Sequence, residues 1–193
     1  EGMRIFTTSE KALAAQKIVM EFLLINHPLD CPICDQGGEC ELQDIAMGYG
    51  RGISKYSQGK RSVEDEDLGP LIATDMTRCI HCTRCVRFGS EVAGVREMGM
   101  TGRGEHGRIG TYIKHTMSHE MSGNIIDLCP VGALTSKPNR FEGRSWEFDQ
   151  MASVASHDCV GSNTFIHSLR HEAMRVVPRD NENINEVWLS DRD

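Results

Sequence analysis

The chain is poor in what membrane-spanning, secreted and nucleic-acid-binding proteins need. Aromatic residues are 6% of its 193 positions. The longest apolar run near its start, FLLI at 22 to 25, falls far short of the roughly 20 residues that cross a bilayer. No basic-then-apolar signal segment precedes it. Lysine and arginine form no cluster able to follow a phosphate backbone, and the formal charge is -7, so nucleic acid is not an expected partner. The acidic run Glu64 to Asp67, beside Gly69 and Pro70, reads as a solvated loop. An initiator methionine is also missing: the chain opens on EGMRIF and stops at WLSDRD, the expectation for an internal piece of a longer protein.

What the chain does have is eight cysteines and a hydrophobic fraction of 39%, enough for one ordinary core or two small lobes. Without a secretion signal, cysteines in tight spacings are metal ligands or catalytic thiols more often than disulfide partners. Their distribution supports this. Cys31, Cys34 and Cys40 form one knot, Cys79, Cys82 and Cys85 a second, and Cys129 and Cys159 stand alone.

The coarse pattern is α+β. Residues 9 to 26 predict an amphipathic helix capped by Thr8 or Ser9, with Ala15, Ile18, Val19, Phe22 and Leu23 as its apolar stripe. His27 and Pro28 end it, and a second short helix is expected from Gly38 or Glu39 to Met47. Residues 48 to 70 read as a connector. A helix of about ten residues follows the second knot and ends at Gly94; TYIKH looks like a strand, SGNIIDL like a helix, and Pro130 suits the first turn of another. In the last third, MASVASHD, NTFIHSLR and EAMRVVPRD predict strands of a small β lobe.

The run CIHCTRC is not the paired arrangement that structural zinc prefers. Three thiolates in CxxCxxC wrap three corners of a cubane, and the fourth is usually a distant cysteine followed by proline, a demand that Cys129-Pro130 meets. Arg78, Arg84 and Arg87 lie close in sequence and can offset the charge gathered there. The run HxxxCxxCxxxxxC formed by His27, Cys31, Cys34 and Cys40 also fits a zinc site, but a neighbouring cubane favours a second one, because electrons cross a protein through a succession of close centres. Gly37 and Gly38 let the loop fold tightly. A neutral imidazole in place of a thiolate removes one negative charge and makes reduction easier.

With these motifs laid out, the chain resembles the large iron-sulfur subunit of bacterial NADH:quinone oxidoreductase, respiratory complex I. The resemblance rests on HPLDCPICDQGGECELQD, DLGPLIATDMTRCIHCTRCVRF and SGNIIDLCPVGALTSKP, and runs through about residues 1 to 145. It implies a [4Fe-4S] cluster on His27, Cys31, Cys34 and Cys40 in a helical domain at 1-48. A second [4Fe-4S] cluster is implied on Cys79, Cys82, Cys85 and Cys129, in a ferredoxin-like domain with a long insertion at 49-145. Residues 146-193 would begin a molybdopterin-oxidoreductase-like domain. Where some members carry a further cluster there, Ala155, Asp158, Ser162 and Ser190 stand here, so no third cluster is expected in that lobe. A [2Fe-2S] domain would precede residue 1. The implied activity is electron relay from flavin toward quinone, with no catalytic residue and no substrate site of the segment's own. The implied partners are the flavin-bearing NADH-oxidising subunit and further iron-sulfur subunits. Placement would be peripheral, on the cytoplasmic side of a bacterial inner membrane and without lipid contact. NAD-linked formate dehydrogenases and the diaphorase parts of NAD-reducing hydrogenases resemble the arrangement too, and a zinc-stapled scaffold is the reading from another class.

Other signals are bland. Cys159 beside His157 and Asp158 lacks a group to orient the imidazole and reads as a free or structural thiol. GRGEHG at 102 to 107 matches GxGxxG but follows no clear strand, and reads as a turn. His115 and His119 read as an exposed pair, His81 as a loop residue near the cluster. The phenylalanine and leucines of the first helix read as core.

Overall fold

The computed structural model describes residues 2-193 as a mixture of short helices and three small antiparallel sheets. Helix α1 (Glu10–Leu24) starts where Ser9 accepts the Ala12 N–H on its Oγ at 3.3 Å, and stops before His27. Its inward face is not the expected stripe. Met20 is the buried residue, with Leu23 and Leu24 partly buried, whereas Ile18, Val19 and Phe22 are exposed, Phe22 by 72%. The reason is packing: α1 meets the rest of the molecule along one narrow edge, against Leu42 of α2 (Glu41–Tyr49) and against Val131 and Ala133.

The middle of the chain carries the larger core. Strand β1 (Ile72–Thr74) pairs with β4 (Leu134–Ser136) in the register Ile72 to Ser136, and β2 (Met98–Thr101) pairs with β3 (Arg108–Thr111) as a hairpin. Helix α3 (Arg84–Arg87) runs on into a π-helical turn, Phe88–Val92, and α4 (Asn124–Leu128) delivers Cys129. Leu68, Ile72, Phe88, Ile109, Ile125 and Leu134 fill the space between them. Cys79 and Cys129 pack against both this core and the smaller one under α1, so the two knots meet where the two cores meet.

Three local expectations are corrected. The strand ends at Thr111, the first residue of TYIKH, because Ile113 and Lys114 take positive φ and break the extended backbone after it. Pro130 opens no helix: the chain after Cys129 turns straight into β4. The acidic run is not simply solvated, since Asp65 accepts the Met76 amide (2.7 Å), Glu66 the Thr111 amide (2.9 Å) and Asp67 the Gly69 amide (3.2 Å). The GxGxxG match is the β2-β3 turn, between two strands and not before a helix.

The last third forms the expected sheet, β5 (Asp149–Val154), β6 (Asn163–Leu169) and β7 (Glu172–Pro178), with β6 central. Its tail is tied to the middle of the molecule. The Trp188 ring lies 4.9 Å from that of Phe88, Asn124 exchanges two hydrogen bonds with Leu189 (2.7 and 2.9 Å), and Asp191 accepts from Ser122 and Gly123.

Candidate metal centres

The second knot is a loop closed by a distant residue. Cys79 and Cys82 lie between the turn Met76–Arg78 and α3, Cys85 lies in the first turn of α3, and Cys129 follows α4. All four thiols line one small cavity, walled otherwise by apolar side chains such as Met76, Ile109 and Leu134. The loop is bent round this point by left-handed backbone at His81 (φ 57°) and Thr83 (φ 61°), conformations that cost of order 1–3 kcal/mol each for residues with a Cβ and persist only where surroundings enforce them. The His81 amide points at Cys79 Sγ, 3.4 Å away. Burial, and then the neighbouring thiols Cys129, Cys79 and Cys82, push Cys85 up to about 12, and burial pushes Cys129 up to about 11. Without a cation these thiols hold their protons; metal must displace them.

The first knot is a surface loop between two helices. His27 follows α1, Cys31 and Cys34 occupy the loop, and Cys40 caps α2, its Sγ accepting the Gln43 amide at 3.4 Å. A thiolate there gains from the partial positive charge of a helix start. Cys34 and Cys40 are buried and Cys31 is exposed. Burial raises the affinity of Cys34 and Cys40 for their protons, and the nearby sulfurs of this knot add to the effect. The His27 ring is part-buried, its Nδ1 has no hydrogen-bond partner, and burial lowers its pKa, which leaves the imidazole neutral as a ligand must be. Gly38 takes φ +97° between Cys34 and Cys40, as a tight turn requires. At Gly132 a Cβ would sit 2.1 Å from Cys34 Sγ, so only glycine leaves the sulfur its room.

Long-range tethers hold this loop. Arg144 donates to the carbonyls of Cys34 (2.5 Å) and Pro32, Arg175 grips the Glu39 carboxylate with both terminal nitrogens (2.8 and 2.6 Å), and Asp35 accepts the Phe141 amide at 3.2 Å. A larger cavity of about 380 Å³ lies along this seam but contains none of the cysteines.

Both donor sets suit an iron-sulfur cluster: soft thiols on a shared apolar cavity in one case and, in the other, three thiols near a neutral imidazole whose Nδ1 is free. Among the described residues, no three histidine, cysteine or carboxylate side chains close on one point as a single metal ion would need. No helix among them is long and apolar enough to cross a membrane.

The cations are arranged differently from the expectation. Arg84 does lie beside Cys82 and Cys129, but its guanidinium is engaged by Glu41 through two contacts of 2.8 Å. Arg87 pairs with Glu91 on the surface, and Arg78 turns away from its own knot toward the first one. Arg61, which spacing did not single out, reaches His81 Nε2 at 3.2 Å, and no local signal marks it because the contact is tertiary. His119 is not part of an exposed pair: its side chain is 12% exposed and lies 3.8 Å from Glu97. Cys159 is exposed and unpaired. Asp158 closes a turn by accepting from the Gly161 amide and the Ser162 hydroxyl, and the Ala155 amide donates to the Ser162 carbonyl at 2.8 Å.

Three families match successive parts of the chain. Residues 16–54 match the NADH-ubiquinone oxidoreductase-G iron-sulfur binding region, 69–135 the ferredoxin-like domain of NADH-quinone oxidoreductase subunit 3, and 148–193 the NDSU1/NuoG-like 4Fe-4S domain. The NADH-quinone oxidoreductase G subunit of Rickettsia felis is 56% identical over 191 residues, covering 99% of this chain and 28% of that protein. The mitochondrial NADH dehydrogenase [ubiquinone] iron-sulfur protein 1 of Solanum tuberosum is 59% identical, with 99% and 26% covered. The chain thus spans about a quarter of the length of these relatives. Among solved structures, a chain of an NAD+-reducing [NiFe]-hydrogenase in the H2-reduced state aligns with a TM-score of 0.63 and 26% identity, over 70% of this chain and 59% of that one.

Proposed function

Because the chain belongs to the family of large iron-sulfur subunits of NADH-quinone oxidoreductases, we propose that it is an electron-transfer segment holding two [4Fe-4S] clusters. When bound, each cluster would accept one electron and pass it on. His27, Cys31, Cys34 and Cys40 hold the first and Cys79, Cys82, Cys85 and Cys129 the second, on domains bounded at 1-48 and 49-145. The region 146-193 carries Cys159 as its single cysteine, too few ligands for a third cluster. The chain's own contribution is to fix two ligand sets at one separation and to wall the second with apolar side chains.

The observation that carries this reading is the convergence of four thiols, one of them from a distant segment, on a single apolar cavity. The partners that fit are a flavin-bearing NADH-oxidising subunit on one side and further iron-sulfur subunits on the other. The site would lie in the peripheral arm, on the cytoplasmic side of a bacterial inner membrane. A chain of an NAD+-reducing [NiFe]-hydrogenase shares the fold, but the NADH-quinone oxidoreductase relatives are more than twice as similar in sequence.

The test is anaerobic purification of the full-length protein followed by iron and acid-labile sulfide analysis. These residues account for about eight irons as two cubanes, with iron-sulfur paramagnetism appearing on dithionite reduction. Colourless protein with stoichiometric zinc, after attempted reconstitution, overturns the reading.

A further inference from the structure

The two ligand sets would carry different charge, since one has four thiolates and the other three thiolates and a neutral imidazole. The chain adds a second asymmetry. Arg78 leaves the backbone one residue before Cys79 of the second set, yet its guanidinium is spent on the first. Its Nε meets Asp30 Oδ2 at 3.1 Å, and its Nη1 meets Asp75 Oδ2 at 2.8 Å and the Gly132 carbonyl at 3.4 Å. Asp30 is the residue before Cys31, and Gly132 is the residue against which Cys34 Sγ lies. The cation is therefore clamped between the two backbone segments that border the first set's thiols. Its side chain is 6% exposed, whereas that of Asp30 is 34% exposed, and Asp75 is shared with Arg140 at 2.8 Å. Water and salt screen the partly exposed carboxylate more than the buried cation, so the positive end acts at longer reach on the interior. The cations beside the second set are less deeply buried: Arg84 is 43% exposed and bidentate with Glu41, and Arg61, which reaches His81 Nε2 at 3.2 Å and acts on Cys79, is half-buried.

We propose that Arg78 is a charge-tuning residue for the first centre: its buried guanidinium stabilises the added electron on a cluster held by His27, Cys31, Cys34 and Cys40, raising that centre's reduction potential relative to its neighbour. Uptake of one electron adds one negative charge with no bond made or broken, and a fixed cation nearby favours the reduced form. Arg78 touches no reacting atom; it acts through the field and through the loop segments it clamps. This inference rests on the two-cluster reading above.

The test is a mediated potentiometric titration of the full-length, iron-loaded protein followed by electron paramagnetic resonance, with nitrogen hyperfine coupling marking the imidazole-ligated cluster. In Arg78→Gln the equilibrium constant for reducing that cluster falls at least tenfold, which is 59 mV for a one-electron couple, while the all-cysteine cluster moves far less. Arg78→Lys keeps the charge without the fork and holds the potential near that of the unaltered protein. Asp30→Asn removes the counter-charge and shifts the potential upward. An unmoved first cluster in Arg78→Gln, equal shifts in both clusters, or a lysine variant that shifts as far as the glutamine one overturns the proposal. Where Arg78→Gln yields no loaded protein, Asp30→Asn decides, and an unchanged or lowered potential overturns it. Unaltered protein with no nitrogen-coupled signal instead overturns the underlying assignment of a histidine-ligated cluster.

Discussion

The two knots solve the same problem, gathering soft donors, by opposite means. In the second, the thiols come from two segments far apart in sequence and line a cavity walled by the main core, with Ile109 and Leu134 among the walls and Cys82 at the exposed edge. In the first, every proposed donor lies within residues 27 to 40, Cys34 and Cys40 are buried with Cys31 at the exposed edge, and the loop depends on clamps from Arg78, Arg144 and Arg175. Nearness in sequence thus places donors in one neighbourhood without fixing their geometry. Tertiary hydrogen bonds fix it instead. A site enclosed by core should resist loss; a site held by clamps should yield when one clamp is removed.

The sharpest way to break this contrast is to remove a ligand. Cys85→Ser is expected to lose the second cluster entirely, halving the iron content, while the imidazole-ligated signal survives. Loss of both signals together would show that the two sites are one cooperative unit. Gly132→Ala comes next, because its Cβ would press on Cys34 Sγ at 2.1 Å: the first cluster's iron should fall well below stoichiometric and the second stay full.

A pH titration of the iron-free chain probes both sites together. Thiols whose folded pKa is raised, Cys85 to about 12 and Cys129 to about 11, stabilise the fold fully below the ordinary thiol range near 9. That contribution is lost as pH climbs through the window from about 9 to 12. Circular dichroism melts should show iron-free protein losing stability across this window and iron-loaded protein, whose sulfurs carry no proton, losing less.

Arg144→Ala is a smaller change. It frees the carbonyls of Pro32 and Cys34, a loss of about 1–3 kcal/mol in loop stability. Chelator challenge should then strip the first cluster several-fold faster than before and the second at its original rate. Smallest is Arg84→Ala: that bidentate pair is about half exposed on both sides and is worth less than about 1 kcal/mol, so neither iron content nor melting should move measurably.

The sequence made the grouping of the cysteines legible and the framework much less so. Spacing alone pointed to the cysteine knots, the Cys129-Pro130 signal and the strands of the last third, because ligand loops and alternating strands are local patterns. The inward face of α1 was misread because periodicity tells which residues are apolar, not how much of that face finds a partner. Only the edge at Met20 does. The turn after Cys129 was missed because proline permits a helix start without requiring one, and pairing of β4 with β1 claims the segment. The direction of Arg78 was unreadable for a related reason: sequence places it beside Cys79, and only the fold brings Asp30, Asp75 and Gly132 around its guanidinium.

The tethers from Arg144 and Arg175 set an order on the making of the molecule. Residues 27 to 40 leave the ribosome before the arginines that pin them have been made. Until the chain has grown past β7 the loop is an open set of thiols, exposed to oxidation and to the wrong ion. The centre translated first is therefore the one completed last, and a scaffold or assembly factor that shields it has a defined interval in which to act.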